Sequence, residues 1–138
     1  MMIKKSPWVS FFNSGDCKGC ILECTVLITP KYDIERFGCM LRPSVRHADI
    51  LLVTGAMTKQ SKDRLKKIYA QMSPEKKVIA IGACAISGGI FRDAYNASVG
   101  ISSEIPVDIY VPGCPPKPEA IIDALLKVLK DSNGNKKN

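Results

Sequence analysis

Six cysteines lie among 138 residues, and the spacing of one group poses the first chemical question. In S-G-D-C-K-G-C-I-L-E-C, Ser14 to Cys24, a Cys-x-x-Cys step puts Cys17 and Cys20 where two thiolates can grip one metal centre. Glu23 and a third thiol, Cys24, follow at once. The other thiols stand apart: Cys39 in a polar stretch, Cys84 in G-A-C, and Cys114 in P-G-C-P-P. The opening M-M-I-K-K-S-P-W-V-S-F-F has lysines ahead of apolar residues. Pro7, Ser10 and Asn13 interrupt it, and no small-residue cleavage site precedes the cysteines, so the chain reads as cytoplasmic. In a reducing compartment, cysteines serve as metal ligands, catalytic thiols or small buried hydrophobes rather than structural disulfides.

The elements that must position these thiols can be read in order. Trp8 to Phe12 is β-branched and aromatic and runs into Asn13-Ser14-Gly15-Asp16, a strand ending in a turn. Lys18 to Thr29 suits a helix that Pro30 stops. Pro30 to His47 is polar, with Arg36, Arg42 and Arg46 around Gly38 and Pro43, and reads as a helical turn plus a loop. Ala48 to Val53 is a continuous apolar run of the kind buried on both faces of a sheet. Thr58 to Met72 carries Leu65, Ile68, Tyr69 and Met72 at helical spacing. Val78 to Ile81 and Val107 to Val111 are the third and fourth strands, separated by a short helix and a long loop over Ala85 to Ser103. A final amphipathic helix runs from Pro118 to Lys130, with proline in its first turn. Alternating strands and helices specify an α/β protein, a flavodoxin-like three-layer fold with a four-stranded, mainly parallel sheet. One domain over residues 1–138 is expected, with 131–138 as a frayed tail.

That fold gives the thiols a common address. Cys17 and Cys20 follow the first strand, Cys84 the third and Cys114 the fourth, and the carboxyl ends of parallel strands share the edge where open α/β folds place ligands. Four thiolates on one centre suit a 4Fe-4S cluster or a structural zinc. One pair plus two single thiols, about 60 and 30 residues apart, favours the cluster over a zinc knuckle built from two Cys-x-x-Cys pairs. A thioredoxin-like dithiol also explains Cys17 and Cys20 but leaves Cys84 and Cys114 without a role. Cys24 and Cys39 read as small packing residues, and His47 as a hydrogen-bonded structural histidine. Glu23 is either a solvated helix carboxylate or a proton carrier beside the centre. Ser87-Gly88-Gly89 fits no phosphate-binding pattern.

Composition narrows the class. Twenty Lys and Arg against 13 Asp and Glu give a formal charge of +7, but the basic residues are scattered and not interleaved with aromatics, which argues against nucleic acid. The most apolar stretch, Val78 to Ile86, is broken by Gly82 and falls well short of the roughly 18 residues of a membrane-spanning helix.

The separated motifs resemble one family. C-x-G-C-x-x-E at Cys17 to Glu23, R-F-G at Arg36 to Gly38, R-P-S-V-R-H-A-D at Arg42 to Asp49, G-A-C-A-I-S-G-G at Gly82 to Gly89 and V-P-G-C-P-P-K-P-E-A at Val111 to Ala120 are similar to the small electron-transfer subunit shared by nickel-iron hydrogenases and respiratory complex I. The complex I form has adjacent cysteines where Lys18-Gly19 here separates Cys17 from Cys20; the separated pair is the hydrogenase form. No additional carboxyl-terminal cluster domain or export signal is read in the sequence, and the whole resembles membrane-bound energy-converting hydrogenases and their sulfur-reducing relatives. Val45 departs from the proline common there.

The resemblance implies one 4Fe-4S cluster on Cys17, Cys20, Cys84 and Cys114, next to the active site of a catalytic large subunit and supplied by a ferredoxin-like iron-sulfur subunit. It implies integral membrane partners, a place on the cytoplasmic side of the membrane, and Glu23 as a proton-transfer residue facing the large subunit. Lys18, Arg42 and Arg46 would favour the reduced cluster if they lie close to it.

Overall fold

Short apolar runs become strands in this chain because each finds a parallel neighbour. The computed structural model describes residues 7–15, 17–42, 44–97 and 100–134. In chain order the elements are β1 (Trp8–Asn13), α1 (Gly19–Val26), β2 (Met40–Leu41), β3 (Ile50–Thr54), α2 (Lys59–Gln71), β4 (Lys77–Ile81), α3 (Ala83–Ser87), β5 (Ile109–Val111) and α4 (Pro118–Gly134). Short 3-10 turns occupy Ile34–Phe37, Val45–His47, Gly89–Phe91 and Ile101–Ser103. The strands form one sheet in the order β2-β1-β3-β4-β5 with every pairing parallel.

Alternation of side chains across β3 builds both core layers. Ile50 and Leu52 point to the layer covered by α1 and α4, where Val9, Ile79, Ile81, Leu27, Ile121 and Leu125 are buried with them. Leu51 and Val53 point to the opposite layer, against Leu65 of α2, Ala85 of α3 and Ile101. All five residues of β3 are buried, as its unbroken apolar run requires. The three-layer α/β fold is therefore the one expected.

Three details differ from expectation. The sheet has five strands rather than four: Met40–Leu41 pairs with Trp8 and Val9. Two residues are too few for a periodic pattern, so only the partner strand defines β2. The last helix extends past Lys130 to Gly134, because nothing in Asp131-Ser132-Asn133 breaks it, so this part of the expected frayed tail is helical; residues 135–138 lie outside the described residues. Strand β5 begins at Ile109 rather than Val107, although Asp108 is still tied to the sheet: its N–H donates to the Val78 carbonyl at 2.9 Å, and its carboxylate accepts from the Val78 N–H at 2.8 Å.

Helix α2 is anchored at its start and along its first turns. Thr58 caps it reciprocally with Ser61, each backbone N–H donating to the other's hydroxyl, at 3.1 and 3.2 Å. The Ser61 hydroxyl also donates to the Ser14 carbonyl at 2.7 Å, joining α2 to the turn after β1. Farther along, Lys62 and Lys66 each reach Glu104 at 3.0 Å, clamping the long loop after α3 against α2. Hydrogen bonds from Lys62 and Lys66 hold the Glu104 carboxyl below the usual carboxylate range. A group with a lowered folded-state pKa contributes stability above its unfolded value and loses it as pH falls through the folded value. Glu104→Gln is therefore expected to cost about 1 kcal/mol at neutral pH, and the difference from the parent chain should vanish in strong acid; denaturant unfolding at a series of pH values measures it.

Candidate metal centre

Parallel pairing brings the three turns that carry the four predicted ligands to one sheet edge. Cys17 lies between β1 and α1, Cys20 in the first turn of α1, Cys84 in the first turn of α3, and Cys114 just after β5. The turn after β4 is bonded directly to the Cys114 loop: Gly82 N–H donates to the Val111 carbonyl at 2.8 Å and Ala83 N–H to the Gly113 carbonyl at 2.9 Å.

The Cys20 sulfur then packs onto the same backbone. A Cβ built on Gly82 would stand 2.6 Å from Cys20 Sγ and 3.6 Å from the Gly113 carbonyl, so the sulfur occupies the space a side chain would take. Gly82 also has φ 91°, a conformation that favours glycine. At Gly19 a Cβ would meet Cys17 Sγ at 3.5 Å and the Pro115 ring at 3.9 Å, which brings the Cys17 and Cys114 loops together. Gly89 makes the matching approach to Cys84, its would-be Cβ lying 3.0 Å from that sulfur.

The thiols form a gradient from interior to surface. Cys20 is 8% exposed, Cys84 is half-buried, and Cys17 and Cys114 are exposed. None of the six cysteines is in a disulfide. Among the described residues, no three Cys, His, Asp or Glu side chains stand close enough to share a single metal ion. Cys24 and Cys39 are buried in the α1–α4 core layer beside Leu27 and Ile34, the packing role expected of them, and burial pushes the Cys39 thiol up. Glu23 lies half-exposed on α1, three residues beyond Cys20.

Two of the three cations expected to tune the centre are at the wrong end of the sheet. The Arg42 guanidinium stacks 4.6 Å from the Trp8 ring at the amino-terminal end of β1, and Val45–His47 leads into the amino-terminal end of β3. His47 packs edge-on against the same ring at 5.8 Å. Asp49 completes the group, accepting from the Trp8 N–H at 3.2 Å and donating its own N–H to the Trp8 carbonyl at 2.7 Å. The length of a five-residue strand, about 13 Å between its first and last Cα, separates this group from the cysteine turns. Of Lys18, Arg42 and Arg46, only Lys18 belongs to the cysteine edge. It takes a left-handed conformation, φ 71°, where Cys17 hands over to α1.

Sequence reasoning missed the exposed apolar residues of α1 and of the segment after α3. Ile90 is 88%, Tyr95 85% and Leu22 62% exposed, with Phe91 following Ile90 in the chain. Their signal was present in G-G-I-F-R-D-A-Y, where large apolar residues occur without the periodicity that would bury them. An open groove of about 770 Å³, lined by Phe12, Ser14, Gly15, Lys18, Ser61 and Arg64 among others, adjoins the Cys17 loop.

The tightest of these contacts makes a direct prediction. Gly82→Ala should cost about 2 kcal/mol or more, read by denaturant unfolding, because the new methyl must displace either the Cys20 sulfur or the β4–α3 turn.

Comparison with known proteins agrees with the motifs. Residues 17–128, a span that holds Cys17, Cys20, Cys84 and Cys114, match the family described as NADH ubiquinone oxidoreductase, 20 Kd subunit. The chain is 50% identical over 128 residues to the probable membrane-bound hydrogenase subunit mbhJ of Pyrococcus furiosus, covering 93% of this chain and 77% of that protein. It is 44% identical over 135 residues to an NADH-quinone oxidoreductase subunit of Citrifermentans bemidjiense, covering 98% of this chain and 76% of the relative. It also matches a chain of the membrane-bound sulfane sulfur reductase, an archaeal respiratory membrane complex, with TM-score 0.82 and 42% identity over 95% of this chain and 72% of that one. With residues 17–128 matched by the family as a whole, this chain belongs to the NADH ubiquinone oxidoreductase 20 Kd subunit family.

Proposed function

We propose that this chain is the electron-transfer subunit of a membrane-bound, nickel-iron hydrogenase-type complex, holding one 4Fe-4S cluster through Cys17, Cys20, Cys84 and Cys114. The observation that carries the reading is the contact of the Cys20 sulfur with Gly82, whose turn is itself hydrogen-bonded into the Cys114 loop. Family membership supports an oxidoreductase subunit with an electron-transfer role in a hydrogenase or complex I-like assembly.

The residues present fit such a cluster. Gly82 and Gly89 leave room at Cys20 and Cys84 that any side chain would fill. One Cys-x-x-Cys pair and two single thiols on separate strand-end turns would suit a four-iron cluster better than a structural zinc built from two short Cys pairs. When bound, the cluster supplies one-electron storage and transfer.

The chain's own residues do the rest. Cys20 and Cys84 anchor the inner side, and exposed Cys17 and Cys114 leave the outer side within reach of a partner. Leu22 of α1 and Ile90, Phe91 and Tyr95 after α3 are exposed and suit burial against the catalytic large subunit. Electrons reach the chain from a ferredoxin-like subunit and leave to the large subunit, which carries the catalytic metal and evolves hydrogen, coupled through integral membrane subunits to ion translocation. Among the described residues no helix is long and apolar enough to cross a membrane. In this reading the chain is a peripheral subunit, one domain over residues 1–138, on the cytoplasmic side of the membrane. Glu23, one helical turn from Cys20, is assigned proton transfer at the large-subunit contact. A second reading, the same relay in a sulfur-reducing complex, is favoured by the match to the sulfane sulfur reductase chain.

Anaerobic preparation should yield about four iron and four acid-labile sulfide per chain. Cys84→Ser and Cys114→Ser should each lose most of both, whereas Cys39→Ser keeps them; zinc, or no metal, in the parent chain would sink the cluster reading. Glu23→Gln in the assembled complex should lower turnover roughly tenfold or more with the cluster's spectrum intact, and full activity would remove Glu23 from the mechanism.

A further inference from the structure

One buried hydroxyl on the cysteine side of the sheet has no partner. Thr54 ends β3, the central strand, and is 0% exposed, yet its Oγ1 has no hydrogen-bond partner among the described residues. Its carbonyl is well used, accepting from the Ser14 N–H at 2.9 Å and the Ser14 hydroxyl at 3.0 Å. The side chain is the anomaly. The four residues before it in β3 are Ile50, Leu51, Leu52 and Val53, and an isosteric valine would continue that run without burying a polar group.

Its position points to what it serves. In register, Thr54 stands between Asn13 of β1 and Ile81 of β4. Asn13 opens the turn that leads to Cys17, and Ile81 precedes Gly82, against which the Cys20 sulfur packs. Alternation along β3 puts the Thr54 side chain on the face of Ile50 and Leu52, the layer that contains Cys20, Ile81 and Val111. The other unpartnered buried polar atoms, Arg42 Nε and Ser73 Oγ, are elsewhere: Arg42 stacks on Trp8 at the opposite edge, and Ser73 follows the end of α2.

We infer that the Thr54 hydroxyl donates a hydrogen bond to a sulfur of the iron-sulfur cluster and raises its reduction potential. This rests on the reading that the four cysteines hold such a cluster. A donor at sulfur stabilises the more negative, one-electron-reduced state over the oxidised state. The electron comes from the ferredoxin-like donor subunit, and the proton stays on Thr54 throughout. Thr54 is thus a positioning and tuning residue rather than a ligand.

The test is a spectroscopically monitored redox titration of the full-length chain loaded anaerobically with iron and sulfide. Thr54→Val should bind as much iron as the parent but show a roughly tenfold lower reduced-to-oxidised ratio at a fixed potential, equal to about 59 mV for a one-electron couple. Thr54→Ser should return the ratio to the parent value, and an exchangeable-proton coupling in the reduced-state spectrum should be lost in the valine variant and kept in the serine variant. If Thr54→Val fails to load, Thr54→Ala is titrated and judged by the same shift. A fully loaded valine or alanine variant that titrates with the parent overturns the role of Thr54 and leaves the cluster reading standing. A parent chain that binds no iron overturns the cluster reading, and this inference with it.

Discussion

Parallel pairing is the constraint on which the rest of the molecule depends. When every strand runs the same way, every strand-to-helix turn opens on one edge of the sheet, whatever the distance in sequence between the turns. Thiols separated by tens of residues thereby become neighbours without any loop having to cross the core. The strand that guarantees this arrangement is β3, buried along its whole length and flanked on both sides by parallel partners. Its two faces separate the layer of α1 and α4 from the layer of α2 and α3.

Within that edge, small residues decide how closely the turns approach. The Cys20 sulfur rests where Gly82 lacks a side chain, and the Cys84 sulfur rests likewise against Gly89. Backbone hydrogen bonds from Gly82 and Ala83 to the Cys114 loop lock two of the turns together. The site is consequently firm on its inner side and open on its outer side, where Cys17 and Cys114 meet solvent. An electron relay needs that asymmetry: an anchored centre and an accessible face.

The opposite edge of the sheet is organised by different interactions. Trp8, Arg42, His47 and Asp49 interlock there through the Arg42 guanidinium over the Trp8 ring, the edge-on His47 ring, and two Trp8–Asp49 hydrogen bonds, one between backbones and one to the Asp49 carboxylate. They fix the start of β1 and the return from β2 to β3, and their charges stand a strand's length from the thiols. The R-P-S-V-R-H-A-D motif is therefore tied to the architecture of the first crossover rather than to the field around the cysteines.

The sequence by itself determined the α/β class, the order of the major strands and helices, and the thiols that end up at one edge. It could do so because those features follow from local periodicity, from turn residues and from the rule that parallel strand ends coincide. Cys24 and Cys39 were legible as packing residues for the same reason, since no strand-end turn presents them. Only the tertiary structure decided that Met40–Leu41 is a strand, that Arg42 stacks on Trp8 at the opposite edge, that Ile90 and Tyr95 are exposed, and that the Thr54 hydroxyl is buried without a partner among the described residues. Each of these depends on what a residue meets across the fold, at distances set by the packing of segments remote in the chain, and no local pattern encodes that.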